Sequence, residues 1–263
     1  MEPILIPEHR PMDRRAILKA FAGLALCPLC ASAGVAGEGG HHWGYEGDGG
    51  PAKWGELDPA NQFCSVGVQQ SPIDIGTTIG ANLYPIEIRW ADTADTIVNN
   101  GHTIQLNVAE GSHLKLGGVT FKLVQFHFHH PSEHLIDGKN FPMEVHFVHR
   151  ADSGTLGVVG VLMQPGKANA AFSKIVATMP QSEGPAKKAD PAIDPNALLP
   201  ETRNYYRYEG SLTTPPCSEI VDWMVLASPI TVAADDIAAF AKLYPMNARP
   251  VQKDNRRFVL QSN

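Results

Sequence analysis

Apolar and polar positions along this chain alternate with period two far more often than they recur every three to four residues. Ile97 to Leu106, His113 to Leu116 and Thr120 to Phe128 carry that alternation. Met143 to His149, Gly157 to Met163 and Ile220 to Ala227 are rich in valine, isoleucine and leucine. Both patterns predict strands. Asn99-Asn100-Gly101, Gly117-Gly118 and Asp137-Gly138 supply turn signals between them. Helical periodicity is confined to Ala168 to Thr178, ahead of Pro180, and Ala233 to Leu243, ahead of Pro245. The second of these has Thr231 near a capping position and Asp235 and Asp236 in its first turn. The Pro-, Ala- and Asp-rich stretch from Gln181 to Pro200 reads as a surface connection. No composition break or internal repeat divides the chain. The expectation is a single domain, mainly β with a few short helices, built on a large, mostly antiparallel twisted sheet.

The first 33 residues stand apart from that pattern. Asp13-Arg14-Arg15-Ala16-Ile17-Leu18-Lys19 precedes an apolar run, Ala20 to Leu29, and then Ala31-Ser32-Ala33. A charged start, a short apolar stretch and an A-x-A site make an export signal, and the paired arginines resemble the twin-arginine type. The run is shorter than the ~20 apolar residues a membrane span needs. The expected product is therefore a periplasmic or secreted chain of residues 34–263. Two of the four cysteines, Cys27 and Cys30, lie in the leader, and Cys64 and Cys217 remain. In an oxidising compartment a disulfide between them is the default expectation. The formal charge of −6 lacks the basic excess of a nucleic-acid binder. A mean hydropathy of −0.14 excludes a multi-span membrane protein.

Histidine is the unusual residue, with eleven copies, most of them between His113 and His149. In Gln125-Phe126-His127-Phe128-His129, residues two apart share one face of a strand. Gln125, His127 and His129 then point one way, and Val124, Phe126 and Phe128 the other. A hairpin turning at Asp137-Gly138 pairs residues whose numbers sum to about 275, which brings His146 opposite this pair. Three neutral imidazoles with an open fourth position make a catalytic zinc site, whereas closed structural sites mostly use thiolates. The second ring nitrogen of each ligand needs a partner, and Gln125 and Glu144, each two residues before a ligand, are the candidates.

These blocks resemble an α-class carbonic anhydrase of the exported bacterial kind. The matching segments are His42-Trp43-Gly44-Tyr45, Gln70-Ser71-Pro72-Ile73-Asp74-Ile75, Asn99-Asn100-Gly101-His102, Gln125 to His129, Ser132-Glu133-His134, Glu144 to His149, Tyr208 to Cys217, and Asn247 to Gln252. The resemblance implies reversible hydration of CO2 to bicarbonate and a proton, through attack of zinc-bound hydroxide, with zinc on His127, His129 and His146. It implies that Glu133 and Thr213 orient the nucleophile, because an ionised carboxylate can only accept and the threonine must donate to it. It further implies substrate contacts from Thr213 and Thr214, an apolar CO2 wall of Val148, Val158, Leu212 and Trp223, and His102 as the proton carrier. His130, His134 and His149 are expected to be structural. Gln105 stands where the well-studied animal enzymes often have asparagine. A Cys64–Cys217 disulfide fits the exported members, and the resemblance also allows a homodimer.

Two other readings compete. His127-x-His129-x3-Glu133 also resembles the first metal motif of cupins, in which the glutamate is a ligand for iron or manganese. The glycine and the later P-x-G motif that cupins carry are missing around Asn140 and Phe141-Pro142-Met143. A non-catalytic binding protein on the same fold would typically lack one of the three histidines, and all three are present.

Overall fold

The computed structural model describes residues 42–91 and 93–263. The proposed leader, residues 1–33, lies outside the described residues. Within them the chain forms a 13-stranded mixed sheet, a three-stranded one, and a few short helices. The main path of the large sheet runs from the edge strand Lys187–Lys188 through Thr96–Asn99, Ile104–Asn107, Val119–His129, Met143–Ala151, Leu156–Pro165, Val221–Leu226, Tyr205–Gly210 and Leu260–Ser262 to Ile79–Ala81. Most ladders are antiparallel. Val221–Leu226 and Ile230–Val232 pair in parallel with Leu156–Pro165, and Leu260–Ser262 with Ile79–Ala81.

The two faces of the sheet are covered differently, which is why the strands alternate. On one face Phe126, Phe128, Val145, Phe147, Val159, Val161 and Met224 join the main core. The helices Ala170–Thr178 and Ala234–Leu243 add Phe172, Ile175 and Phe240 to it. On the other face Val148, Val158, Tyr208, Trp223 and Val225 form a second, smaller cluster. Val148 pairs with Gln125 and His149 with Leu123, so Val124 is an extra residue on its strand. That bulge shifts the alternation, and Phe121 and Leu123 face the main core along with Phe126 and Phe128.

Several sequence expectations need correction in detail. The stretch Ile97 to Leu106 is two strands, broken at Asn100-Gly101. Gly101 has φ +84°, a conformation that suits glycine. The second helix is capped by Ala233 without a side-chain bond, and Thr231 belongs to the strand Ile230–Val232. The stretch from Gln181 to Pro200 is partly internal, with Ile193 and Leu198 fully buried. The strand Tyr205–Gly210 was not anticipated.

Candidate active site

The hairpin places the histidines together. The turn at Asp137-Gly138 joins Leu135–Ile136 to Lys139–Asn140. The long strands beyond it pair His146 with His127, and Glu144 with His129. These pairs sum to 273, two less than the value expected from the turn alone. One ring nitrogen from each of His127, His129 and His146 lies within 4.8 Å of the others.

The tautomers follow from the partners. His127 Nδ1 is 2.8 Å from Gln125 Oε1, His129 Nδ1 is 2.7 Å from the Asn247 carbonyl, and His146 Nε2 is 2.9 Å from Glu144 Oε1. Each partner atom is an acceptor, so each of these nitrogens carries the proton. The nitrogens left free are Nε2 of His127, Nε2 of His129 and Nδ1 of His146. His129 Nε2 is buried without a hydrogen-bond partner. Burial pushes all three imidazoles toward the neutral form, His129 to about 4, although hydrogen bonds and Glu144 oppose it. Neutral imidazole is the form that ligates a metal. Gln125 and Glu144 thus each bond the histidine two residues along their own strand. Asn247 was missed, because a backbone carbonyl leaves no mark on residue type.

Glu144 does more than orient His146. Its carboxylate also accepts the amides of Glu133 and His134 at 2.9 Å and His134 Nδ1 at 2.8 Å. Burial alone would raise it, yet the imidazoles of His134 and His146 and the bonds from them hold it well below the usual carboxylate range. A Cβ at position 160 would come within 2.8 Å of Glu144 Oε1, so glycine leaves room for the carboxylate. His134 passes the chain on through Nε2 to the Tyr208 hydroxyl at 2.7 Å. The second histidine–carboxylate group, His134 with Glu144 and His146, is thus a hydrogen-bonded cluster whose facing atoms are already engaged.

Glu133 lies beside the three histidines, with Oε2 3.9 Å from His146 Nδ1. Oε1 accepts the Arg249 amide at 2.8 Å. Burial pushes its carboxyl up to about 7, against the pull of His146, the Arg249 amide and the Thr213 side chain. Oε2 is buried without a hydrogen-bond partner. Val148, Val158 and Trp223 lie in the smaller apolar cluster and Leu212 packs against it. The Trp223 ring is 4.8 Å from that of His146. Thr214 is half-buried on the same loop as Thr213, and its carbonyl accepts the Cys217 amide at 2.9 Å. Cys217 is disulfide-bonded to Cys64.

His102 follows the turn Asn99-Asn100-Gly101, and its carbonyl accepts from Asn247 Nδ2 at 3.0 Å. Its ring stacks on Trp43 with centroids 3.6 Å apart and lies 5.2 Å from His42. Burial in that stack, then the nearby His42, lowers it to about 4. Gln105 sits opposite His127 and donates to Asn107 Oδ1 at 2.8 Å. His130 bonds the Pro245 carbonyl at 2.9 Å and His149 the Gly157 carbonyl at 3.1 Å, away from the cluster.

A family model described as eukaryotic-type carbonic anhydrase matches residues 49–263. The carbonic anhydrase of Pectobacterium carotovorum is 44% identical over 220 residues, covering 83% of this chain and 90% of that protein. That of Neisseria gonorrhoeae is 41% identical over 254 residues, covering 95% and 100%. Among solved structures, the α-carbonic anhydrase of Thermovibrio ammonificans in complex with sulfanilamide superposes with a TM-score of 0.82 at 44% identity, covering 84% of this chain and all of that one.

Proposed function

The chain belongs to the eukaryotic-type, or α-class, carbonic anhydrase family of lyases that hydrate carbon dioxide, and we propose that it does so with zinc held by His127, His129 and His146. The observation that carries this is the set of three converging ring nitrogens, each freed by a partner on the other side of its ring. The donor set fits the ion: three neutral imidazoles, one with an orphaned buried nitrogen, leave a fourth position open. Zinc bound there supplies acidity to a coordinated water, whose pKa falls to about 7, a value known from carbonic anhydrase itself.

The remaining work belongs to the chain. Glu133, as a carboxylate, accepts a hydrogen bond from the Thr213 hydroxyl, so the threonine can offer the attacking oxygen only a lone pair, which fixes its direction. With a cation held by the three histidines, Glu133 would stay ionised despite the burial that raises it. The Thr213 amide and the Thr214 side chain hold substrate or bicarbonate. Val148, Val158, Leu212 and Trp223 give the apolar CO2 molecule a wall free of competing hydrogen bonds. His102 carries the proton outward: it accepts poorly while stacked on Trp43, and a ring turned toward solvent regains an ordinary pKa near 6.5. Residues 1–33 act as the export signal. The Cys64–Cys217 disulfide fits the resulting oxidising compartment.

Stopped-flow CO2 hydration tests the reading, with metal content measured on the same samples. We expect one zinc per chain, loss of acceleration on chelation, and at least about a thousandfold loss in kcat/KM for His127→Ala, the order reached when a transition-state electrostatic group is removed. A zinc-loaded protein without acceleration, or one that works equally well after chelation, overturns it.

A further inference from the structure

Glu133 and Thr213 belong to loops far apart in sequence, yet one short segment, Cys64 to Ser71, ties both in place. On the threonine side it holds the loop at both ends. Ser71 and Ser211 exchange hydrogen bonds, Ser71 N–H to Ser211 Oγ at 2.9 Å and Ser211 N–H to Ser71 Oγ at 3.1 Å. Gln70 Nε2 donates to the Cys217 carbonyl at 3.0 Å, and Cys64 is bonded to Cys217. Thr213 lies between these anchors.

On the glutamate side the link is Arg249. Its amide donates to Glu133 Oε1 at 2.8 Å. Its guanidinium, on a residue only 2% exposed, reaches back into the same segment. Nη1 donates to Gln70 Oε1 at 2.9 Å and the Ser71 carbonyl at 2.8 Å, and Nη2 to the Cys64 carbonyl at 3.2 Å. The group lies over the Trp54 ring, 5.6 Å from its centroid. All three of these acceptors are neutral oxygens, and Nε is buried without a partner. Burying a cation with such partners is poor value for stability alone, since a packed apolar side chain would often serve as well. What the planar fork provides is a fixed spacing among three acceptors that a lysine cannot span.

We propose that the guanidinium of Arg249 is a positioning group for the Glu133–Thr213 pair. By gripping the Cys64–Ser71 segment, it sets the distance between the carboxylate, held by its own amide, and the hydroxyl, held by the segment's far side. This rests on the reading of Glu133 and Thr213 as the pair that aims the attacking oxygen.

A double-mutant cycle tests it. CO2 hydration is measured for zinc-loaded wild type, Arg249→Met, Thr213→Ala and the double variant, well below their melting temperatures. Arg249→Met is expected to lose tenfold or more in kcat/KM with full zinc content. In the Thr213→Ala background the same change should cost less than threefold, because no hydroxyl remains to be misplaced. Arg249→Lys, which keeps the cation, should lie between and show the same non-additivity, and it carries the test if the methionine variant does not fold. Hydrogen exchange of the residue-249 amide in the metal-free protein should accelerate in both Arg249 variants. A full tenfold loss repeated in the Thr213→Ala background, or unchanged activity and exchange in Arg249→Met, overturns the proposal. An active, unaffected Thr213→Ala enzyme overturns the underlying reading of the pair, and the proposal with it.

Discussion

His149 offers a measurement of how the sheet's interior responds to acid. The ring is fully buried. Nδ1 donates to the Gly157 carbonyl at 3.1 Å, and Nε2 accepts the Trp90 indole N–H at 3.2 Å. Both ring nitrogens are thus engaged in the neutral form. Burial lowers its pKa from 6.5 to about 4, although its backbone hydrogen bonds oppose the shift. Between pH 6.5 and 4 the unfolded chain takes a proton at this residue that the folded chain refuses. Stability therefore falls as pH drops through that window. At about 1.4 kcal/mol per unit, the loss from this one group approaches 3 kcal/mol by pH 4. In His149→Gln the side-chain amide can serve both partners and does not titrate. Urea unfolding of the two proteins from pH 7.5 to 4 isolates the term, because titration of the other histidines cancels in the difference. The variant should lose about 3 kcal/mol less than wild type over that range. Parallel stability curves, or a residue-149 ring that titrates near pH 6.5 by NMR, would refute the reasoning.

Two further outcomes follow from the same structure. The Cys64–Cys217 bridge spans a sequence separation of 153; by chain entropy its removal in a Cys64→Ser/Cys217→Ser variant costs up to about 5 kcal/mol, and a reduced urea midpoint checks this, an unchanged one sinking the account. Trp43→Ala should release His102 from its stack and raise its pKa from about 4 toward the ordinary 6.5, as followed by histidine NMR titration; a value that stays near 4 would assign the shift to something other than the stack.

The legible part of the site is the part written at short range. His127, His129 and His146, with Gln125 and Glu144 beside them, lie at two-residue spacings on strands, where the pleat alone fixes which side chains meet. The period-two pattern was readable because one sheet face meets the main core and the other the smaller cluster and the site. The illegible parts depend on groups without a residue-type signature. Val124 is an extra residue in the ladder, and nothing in an alternating run marks where one register ends. The Asn247 carbonyl and the Arg249 amide reach His129 and Glu133 from 118 and 116 residues away. Any residue but proline could donate that amide, and any residue at all could offer that carbonyl. The block Asn247 to Gln252 was visible as a resemblance, but its work was not.

The asymmetry has a structural cause in Glu144. One carboxylate accepts from His146, from His134 and from the amides of Glu133 and His134, so it serves a strand and a loop at once. It orients His146 and also fixes the backbone from which the Glu133 side chain departs. The far end of that side chain is fixed by the Arg249 amide. The distance from His146 to Glu133 is therefore set at both ends of the glutamate rather than left to its rotamer. Buried polar networks of this kind specify a geometry only when every member is satisfied. Here the buried atoms without partners include His129 Nε2, Glu133 Oε2 and Arg249 Nε. The first is one of the three nitrogens that hold the metal in the proposed reading, and the second belongs to the carboxylate read there as the partner of Thr213. Of these three open points, the first two lie where the proposed chemistry would enter the network.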